Sequence, residues 1–480
     1  MLYNTLDFAV FYGLVFGLYW FVFRDRLRIQ NVLLLTASYV FYGWWDWRFL
    51  GLIAGGSLVD FVSSYQMSRT EDARRRKAWL MLSVVFNLGM LGFFKYFGFF
   101  VDSFIALAQS FGVTLGPRTL RVILPVGISF FVFQSLSYTI DVYRKRIKAA
   151  TDPVAFLAFV SFFPQLVAGP IERASNLLPQ FYKARRFDAE KAREGLRYIL
   201  WGLFKKVVIA DSLGQCVDLA VAHHEAYRGS VLAVSVFLFA IQLYCDFSGY
   251  SDMAYGTARL LGFDLMRNFN LPYFARDIFD FWRRWHISLT TWFRDYVFLP
   301  LSKGKTNLSK AMLIRNYLIT FTVSGLWHGA NWTYVIWGVL HGLYHIPYIL
   351  FPQLKSTIQQ TRPPYTVPGT VRAGLQIGLT LGLNLFALMF FMSPSVAHAL
   401  SYMGHLFTPS LFQELNDFRL EFAGALAFLG LEWVVFHYRK HHPLEIGHWP
   451  AVLRWSVYYA MVLVILYFNY ERRAFIYFQF

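Results

Sequence analysis

The chain of 480 residues is 56% hydrophobic and 20% aromatic, and it carries 15% charged residues with a formal net charge of +17. Soluble domains average about 25% charged residues, so this composition excludes an ordinary soluble domain. Apolar runs recur along the whole chain, and a spanning helix needs about 20 residues. The sequence therefore predicts an all-α, polytopic membrane protein. Its basic loops are expected to face the cytoplasm and anionic lipid headgroups, not nucleic acid.

The first apolar segment, from Asp7, runs into the basic loop RDRLR and then into a second apolar segment. This order predicts a retained span rather than a cleaved signal peptide. The basic loop from Arg69 is also typical of the cytoplasmic side, which leaves room for two helices between the loops. We find no linker and no internal repeat in the sequence, which disfavours a transporter built from repeated halves. We therefore expect a single integral domain over residues 1–480.

A short apolar run from Val154 lies between two basic segments, YRKRIK and KARRFDAEKAR. Both flanks are typical of cytoplasmic loops, yet the run is barely long enough to cross a bilayer once. It is also interrupted by Pro164 and by Gly169-Pro170. These features predict a re-entrant hairpin, whose irregular backbone must be packed within protein or line a wet cavity.

The segment from Arg259 to Arg315 contains ten Lys or Arg and four Asp or Glu residues among many aromatic ones. This mixture is typical of an interfacial amphipathic helix, and we place it at the cytoplasmic surface, partly dipping inward. His286 lies within it beside arginines, where a solvated histidine is the plainer interpretation. Asp246 precedes the segment, and we expect it at the end of an apolar helix, paired with an arginine.

The stretch GLWHGANW contains His328, which lies 13 residues after Arg315. That separation is about 20 Å of helix at roughly 1.5 Å per residue, well inside a hydrocarbon core of about 30 Å. Ionisable residues at such depth are rare and usually functional; the alternative is a neutral histidine that bridges two helices. Gly325 and Gly329 give space for another backbone or a ligand to approach, and Trp327 and Trp332 could form the wall of a pocket.

The histidines could instead be ligands of a metal centre. His341 and His345 are spaced i, i+4, and HYRKHH from His437 repeats that spacing, as in the histidine boxes of membrane di-iron oxidases. The twelve histidines are scattered, however, and the cations of HYRKHH disfavour a metal. Two cysteines, Cys216 and Cys245, cannot form a thiolate metal site. We expect no metal, and the sequence also lacks the hydrolase, Walker and dinucleotide motifs.

Several long blocks resemble the membrane-bound O-acyltransferase family, and within it the bacterial alginate O-acetylases. They include FFPQLVAGPIER, CDFSGYSDMAYGTARLLGF, DFWRRWHISLTTWFRDYVFLPL and SGLWHGANWTYVIWGVLHG. The resemblance covers nearly the whole chain. It implies a ring of about 11 transmembrane helices with re-entrant segments and a cytoplasmic funnel. His328 matches the family's catalytic histidine, which lies at the constriction of that funnel. His286 matches a second histidine that this bacterial branch shares with its teichoic-acid D-alanylation relatives.

The resemblance also implies a reaction, which is acetyl transfer from acetyl-CoA, a co-substrate rather than a bound cofactor. The acceptor is an exopolysaccharide outside the bacterial inner membrane, and a periplasmic SGNH-type acetyltransferase is the expected partner. His328 would act as general base, a role that suits the ordinary pKa of histidine, while His286 orients a substrate or stabilises charge. The expected substrate contacts are Asp246, Arg283, Arg284, Arg294, Trp327, Asn331 and Trp332.

The arginines are our own assignment to the phosphates of coenzyme A, because guanidinium groups match phosphate geometry; binding of lipid headgroups is the alternative. Other functions also stay open. The same fold could move D-alanyl or other acyl groups from a carrier protein onto teichoic acid. The third class of alternatives is a transporter or a histidine-box metal oxidase.

Overall fold

The computed structural model describes all residues except 118–119, 121, 168, 306, 353, 355–366, 438–441, 470–472 and 477–480. Every regular element that it describes is helical, which confirms the all-α class. The α-helices are α1 Leu6–Gly17, α2 Leu27–Asp46, α3 Leu50–Ser68, α4 Ala73–Leu91, α5 Phe97–Ser110, α6 Ile128–Tyr143, α7 Pro153–Ser161, α8 Phe163–Leu166, α9 Ala174–Leu177, α10 Ala189–Leu203, α11 Asp211–Ala222, α12 Gly229–Leu260, α13 Ile278–Arg284, α14 Ile287–Phe293, α15 Leu299–Leu301, α16 Lys310–His328, α17 Trp332–Leu343, α18 Ile346–Leu350, α19 Val367–Phe391, α20 Val396–Leu406, α21 Arg419–His437 and α22 Ala451–Phe468.

Short π-helical and 3-10 turns connect or extend several of these helices. The π-helical turns are Leu18–Val22, Gly92–Tyr96, Phe204–Ala210 and Arg294–Phe298, and the 3-10 turns are Trp47–Phe49, Leu178–Phe181, His224–Ala226, Pro272–Phe274 and Pro409–Phe412. Because π-helical turns are rare and often mark functional sites, the turn Phe204–Ala210, which carries two lysines, is a candidate part of such a site.

Within the described residues, five helical segments are long and apolar enough to cross a membrane. They are Ala73–Ser110, Gly229–Leu260, Val371–Phe391, Arg419–His437 and Ala451–Phe468, and two shorter apolar segments are Leu6–Val22 and Pro153–Leu166. Protein buries 78% of the most apolar stretch of α12 but only 6% of that of α22. A helix as apolar and as exposed as α22 suits a lipid surround. The figure of about 11 spans stays a prediction.

The chain divides into two compact units. The first comprises Met1–Ile199 with Met253–Met266, and the second comprises Leu200–Asp252 with Arg267–Phe480. The predicted organisation as a single integral domain stays a prediction.

The first unit is held together by a buried polar cluster among its apolar helices. Asp60 of α3 is fully buried and accepts hydrogen bonds from Ser83 at 2.5 Å and from Asn87 at 2.9 Å, both on α4. Buried polar groups stabilise a fold only when they are paired in this way. The same unit contains the predicted re-entrant run, which forms the two helices α7 and α8. Phe162 alone separates the two helices. That this run enters and leaves the bilayer on the same side stays a prediction.

The second unit contains the helix hairpin that carries His328. Helices α16 and α17 run antiparallel, joined by three residues, and each begins with a side-chain cap: Ser309 for α16 and Asn331 for α17. A Cβ added to Gly325 would overlap the carbonyl oxygen of Tyr334, and one added to Gly338 would overlap that of Phe321. The space beside Gly325 is therefore filled by the backbone of the neighbouring helix, not by a ligand.

The prediction of one amphipathic helix between Arg259 and Arg315 is wrong. After residue 266, the second unit has three short helices here, α13 to α15, before α16 begins. Leu271 and His286 have positive φ angles of 48° and 41°, in the left-handed region that ends a regular helix. The hydrophobic pattern identified the large side chains that become buried. It could not predict the two backbone positions at which the helix is interrupted.

Candidate functional site

His328 is the last residue of α16 and is 2% exposed. Aromatic rings surround it: the ring centroid of Trp337 lies 4.8 Å away, that of Trp327 5.0 Å and that of Phe391 5.5 Å. Helix α16 is unbroken from Lys310 onward, so the separation of about 20 Å between Arg315 and His328 that the sequence predicts is retained. The histidine thus lies in an apolar, largely aromatic environment at a helix end.

His286 is fully buried, with 0% exposure, so the interpretation as a solvated interfacial histidine is wrong. It precedes α14, and the two residues that follow it are held by Asn268, whose carbonyl oxygen accepts from the backbone of Ile287 and whose side-chain oxygen accepts from Ser288. Its ring packs against Phe247, with centroids 4.6 Å apart. Burial lowers the pKa of His286 to about 3, so the imidazole is neutral at physiological pH.

Trp327 joins the two histidines. Its indole is 3% exposed and lies 5.9 Å from the ring of His286 and 5.0 Å from that of His328. The three side chains come from two segments some forty residues apart in the chain. The structure therefore brings together both predicted catalytic histidines and one of the predicted tryptophans.

A small cavity of about 20 Å³ adjoins His328. Its polar lining comes from His328, His341 and Asn384, and the other residues are aromatic or aliphatic: Leu243, Tyr273, Phe281, Trp285, Trp337, Leu388 and Phe391. A space of this size is enough for one small group such as a water.

A wide cavity of about 830 Å³ lies in the same unit. Charged and polar side chains contribute to its wall, among them Lys206, Asp211, Asp246 and Arg473. Phe391 lines the wide cavity as well as the small one. The aromatic ring beside His328 therefore stands between a large polar space and a small apolar one.

A buried ion cluster forms part of the wide cavity. The ammonium of Lys206, 1% exposed, lies 2.8 Å from Asp211 and 2.7 Å from Asp246. The second carboxylate oxygen of Asp246 accepts from the backbone N–H of Ile476 at 2.7 Å. Burial raises the pKa of Asp211 to about 6, against the lowering effect of Lys206. The predicted substrate contact Asp246 does line a cavity, but it is fixed by protein partners.

Two details of the Asp246 prediction are wrong. The residue lies in the interior of α12, which continues to Leu260, and its cation is a lysine rather than an arginine. Helix α12 does not end where polar residues appear, because Lys205 and Lys206 pair with Asp252 and Asp246. These ion pairs allow α12 to contain acidic residues that are buried in the protein.

Lys205 and Lys206 are the functional candidates that the sequence reasoning missed. They are adjacent in the π-helical turn Phe204–Ala210, and both are buried. The available signal was a pair of lysines inside the apolar stretch GLFKKVVIA, together with two aspartates six residues apart in YCDFSGYSD. Buried charges need partners. Two lysines in one apolar segment and two aspartates in another therefore indicate that the lysines pair with the aspartates.

The remaining predicted contacts line neither cavity. Arg283 and Arg294 are exposed, Arg284 pairs with Asp280 at 2.9 Å, and none of the three lines either cavity. Trp332 is 54% exposed and lines neither. Asn331 accepts from the backbone of Thr333 at 3.1 Å and donates to the carbonyl of Pro394 at 2.9 Å, so it caps α17 and ties down a loop.

Among the residues that the structure describes, no group of three His, Cys, Asp or Glu side chains is arranged to hold a metal ion. The Nδ1 of His345 lies 2.7 Å from the carbonyl oxygen of His341, which fixes that ring within its own helix turn. Most of the HYRKHH stretch, residues 438–441, lies outside the described part of the chain.

Comparisons with known proteins agree with the resemblance seen in the sequence. Residues 130–392 match the model of the membrane-bound O-acyltransferase family. The chain is 45% identical to a probable alginate O-acetylase of Azotobacter vinelandii over 69% of its own length and 65% of the relative's, just under two thirds of that protein. It is 34% identical to a peptidoglycan O-acetyltransferase of Helicobacter pylori, covering 72% and 69% of the two chains. With a teichoic acid D-alanyltransferase of Bacillus subtilis the identity is 29%, over 47% and 59%.

Proposed function

We propose, since the chain belongs to the membrane-bound O-acyltransferase family, that it is an O-acetyltransferase of the bacterial inner membrane with His328 as its general base. Acetyl-CoA is the proposed cytosolic donor, and the final acceptor is a hydroxyl of an alginate- or cellulose-like exopolysaccharide. A periplasmic SGNH-type acetyltransferase is the proposed partner. The relatives named alginate O-acetylase and peptidoglycan O-acetyltransferase support acetyl transfer to a cell-surface polysaccharide.

The observation that carries the proposal is the buried position of His328 on the small cavity, one aromatic ring away from the wide one. His328 lines only the small cavity, whereas Phe391, against which its ring packs, lines both. In this proposal the acyl group occupies the small cavity, and the acceptor hydroxyl comes from the wide one and reaches the imidazole past Phe391. Holding two reactants at one point in this way is a large part of catalysis in group transfer.

The proposed reaction is a single displacement at the thioester. The acceptor hydroxyl attacks the carbonyl carbon while His328 takes its proton; the carbon–sulfur bond then breaks, and the proton passes to the departing thiolate. A positioned general base contributes about 10²–10⁴-fold to such a step. His286 is neutral, so its proposed role is to orient a substrate by hydrogen bonding rather than to offer a positive charge.

The arginines are proposed to act outside the reaction centre, unlike the histidines. Arg283 and Arg294 are exposed, where their guanidinium groups can meet solvent-borne phosphates or lipid headgroups. Guanidinium binds both through the same bidentate geometry. We propose that they assist the approach of coenzyme A without forming part of the reaction centre.

The test is acetyl transfer by the full-length protein in lipid nanodiscs, supplied with labelled acetyl-CoA and its periplasmic partner. We expect His328→Ala to reduce the rate by at least about 10²-fold, with the acetyl-ester content of the host exopolysaccharide falling in parallel. His224→Gln, which removes a buried histidine that lines neither cavity, is the matched control. Full activity in His328→Ala would contradict the assignment of the base.

A parallel arm separates acetyl transfer from D-alanyl transfer, the function named for the Bacillus subtilis relative. The same protein is offered a D-alanyl thioester on its carrier protein. Transfer from that donor but not from acetyl-CoA would replace the proposed donor while keeping the role of His328.

A further inference from the structure

The small cavity beside His328 has fixed walls. The hydroxyl of Tyr273 donates to the carbonyl oxygen of Ala240 at 2.6 Å, and the ring of Phe281 stacks on Trp285 with centroids 5.6 Å apart. Leu243 and Leu388 complete the apolar part and are 2% and 7% exposed. Side chains this well packed cannot yield space without displacing their neighbours.

The size of the cavity limits what it can hold. Roughly 10–15 Å³ is the least that accommodates one water, and this space measures about 20 Å³. Most of its lining residues are aromatic or aliphatic, and an apolar space of this kind favours an apolar group over water. Its polar lining residues, His328 among them, suit the carbonyl end of the same ligand.

We propose that this cavity is the seat of the acyl methyl group and that its walls restrict the enzyme to two-carbon acyl donors. The inference rests on the proposed acyl transfer at His328 and adds to it a specificity site, with Leu388 and Leu243 as its determinants. An acetyl group places its methyl against the two leucines and leaves its carbonyl beside the histidine. A propionyl group has one more carbon than the space admits.

One extra methylene in a hydrophobic pocket changes the rate by about 10–200-fold. The experiment measures initial rates of acyl transfer by the full-length protein in nanodiscs, with acetyl-, propionyl- and butyryl-CoA at equal, subsaturating concentrations. We expect the wild type to prefer acetyl over propionyl by a factor in that range. In Leu388→Ala the preference should fall by about tenfold or more, with propionyl transfer rising in absolute rate.

The matched control is Leu406→Ala. Leu406 is as buried as Leu388, at 5% against 7%, but it packs in a separate core cluster with Leu232 and Tyr402. Its truncation removes the same atoms outside the cavity, so the acetyl-to-propionyl ratio should stay at the wild-type value. Leu243→Val is a milder second variant that enlarges the cavity from another helix, for use if Leu388→Ala is not stable.

The outcomes are distinct. Equal use of acetyl and propionyl donors by the wild type would overturn the proposal, as would an active Leu388→Ala or Leu243→Val with an unchanged ratio; the cavity would then hold only a water. Failure of the wild type with all three thioesters, alongside transfer from a D-alanyl carrier, would instead count against the proposed acetyl transfer itself.

Discussion

Replacing Gly325 by alanine tests whether the close approach of α16 and α17 sets the position of His328. The added methyl would overlap the carbonyl oxygen of Tyr334 and lie 3.2 Å from the Cα of Gly338. Carbon atoms pack at about 3.5–4.0 Å, so the helices must separate by roughly 1 Å to admit it. Overpacking of this kind costs about 1–3 kcal/mol. Since His328 lies one helical turn further on, a displacement of about 1 Å also predicts a rate loss of about 100-fold.

The assay pairs thermal unfolding of the purified protein with the acetyl-transfer rate in nanodiscs. Gly382→Ala is the control, because Gly382 lies within α19 and an added Cβ there meets nothing within 4 Å. Alanine at such a helical site gains about 0.5–1 kcal/mol over glycine, so the control should be at least as stable as the wild type and fully active. If Gly325→Ala matched the control in both measurements, the glycine contact would not be what positions the histidine.

Two further predictions concern stability. Removing the ammonium in Lys206→Met leaves Asp211 with its neighbouring carboxylate, and breaking such a buried pair costs about 3–5 kcal/mol. The folded-state pKa of Asp211, already raised to about 6 by burial, then rises further. The folded state therefore binds more protons than the unfolded state, and the loss in melting temperature should be greater at about pH 8 than at about pH 5. Lys145→Met, which removes an exposed lysine paired with Glu71, should leave the melting temperature unchanged at both pH values; an equal loss in the two variants would refute the burial argument. Asn331→Ala should lower stability by about 1 kcal/mol through loss of the helix cap, with Asn331→Ser restoring it; a loss of activity in a stable Asn331→Ser protein would instead favour the substrate contact predicted from the sequence.

The histidines show how far the sequence can be taken. The separation of His328 from Arg315 followed from helix geometry, because α16 is regular; the depth of His328 in a membrane stays a prediction. The resemblance gave a role to His286 as well, but it did not predict that the two rings would pack on the same tryptophan. His286 has a left-handed backbone conformation that interrupts the helix, and the polar stretch around it turns toward the protein interior. Residue spacing within one segment cannot predict such a break. For the same reason, periodicity predicted one amphipathic helix where three short ones are found.

The ion cluster shows a second limit. The apolar stretch GLFKKVVIA held a signal for two buried lysines that the sequence prediction did not use. Even with that signal, the choice among several aspartates depends on which helix packs against which. Asp246 pairs with Lys206 because Gly249 of α12 packs closely on α10, where an added Cβ would lie 2.8 Å from the carbonyl oxygen of Gly202. Such approaches are set by tertiary packing. The wide cavity likewise draws its wall from segments more than two hundred residues apart, and no local pattern encodes it.

The aromatic layer around His328 has a consequence beyond chemistry. A membrane protein with a wide polar cavity must still maintain the electrochemical gradient of the cell, since a continuous file of water would let protons leak across. Phe391, Trp337 and Trp327 pack against the imidazole, and the small cavity that Phe391 and Trp337 line has room for one small group rather than a column of water. The layer that we propose to confine the acyl group would therefore also limit the leakage of protons across the membrane. A variant that widened it would be expected to depolarise the cell even where catalysis survived.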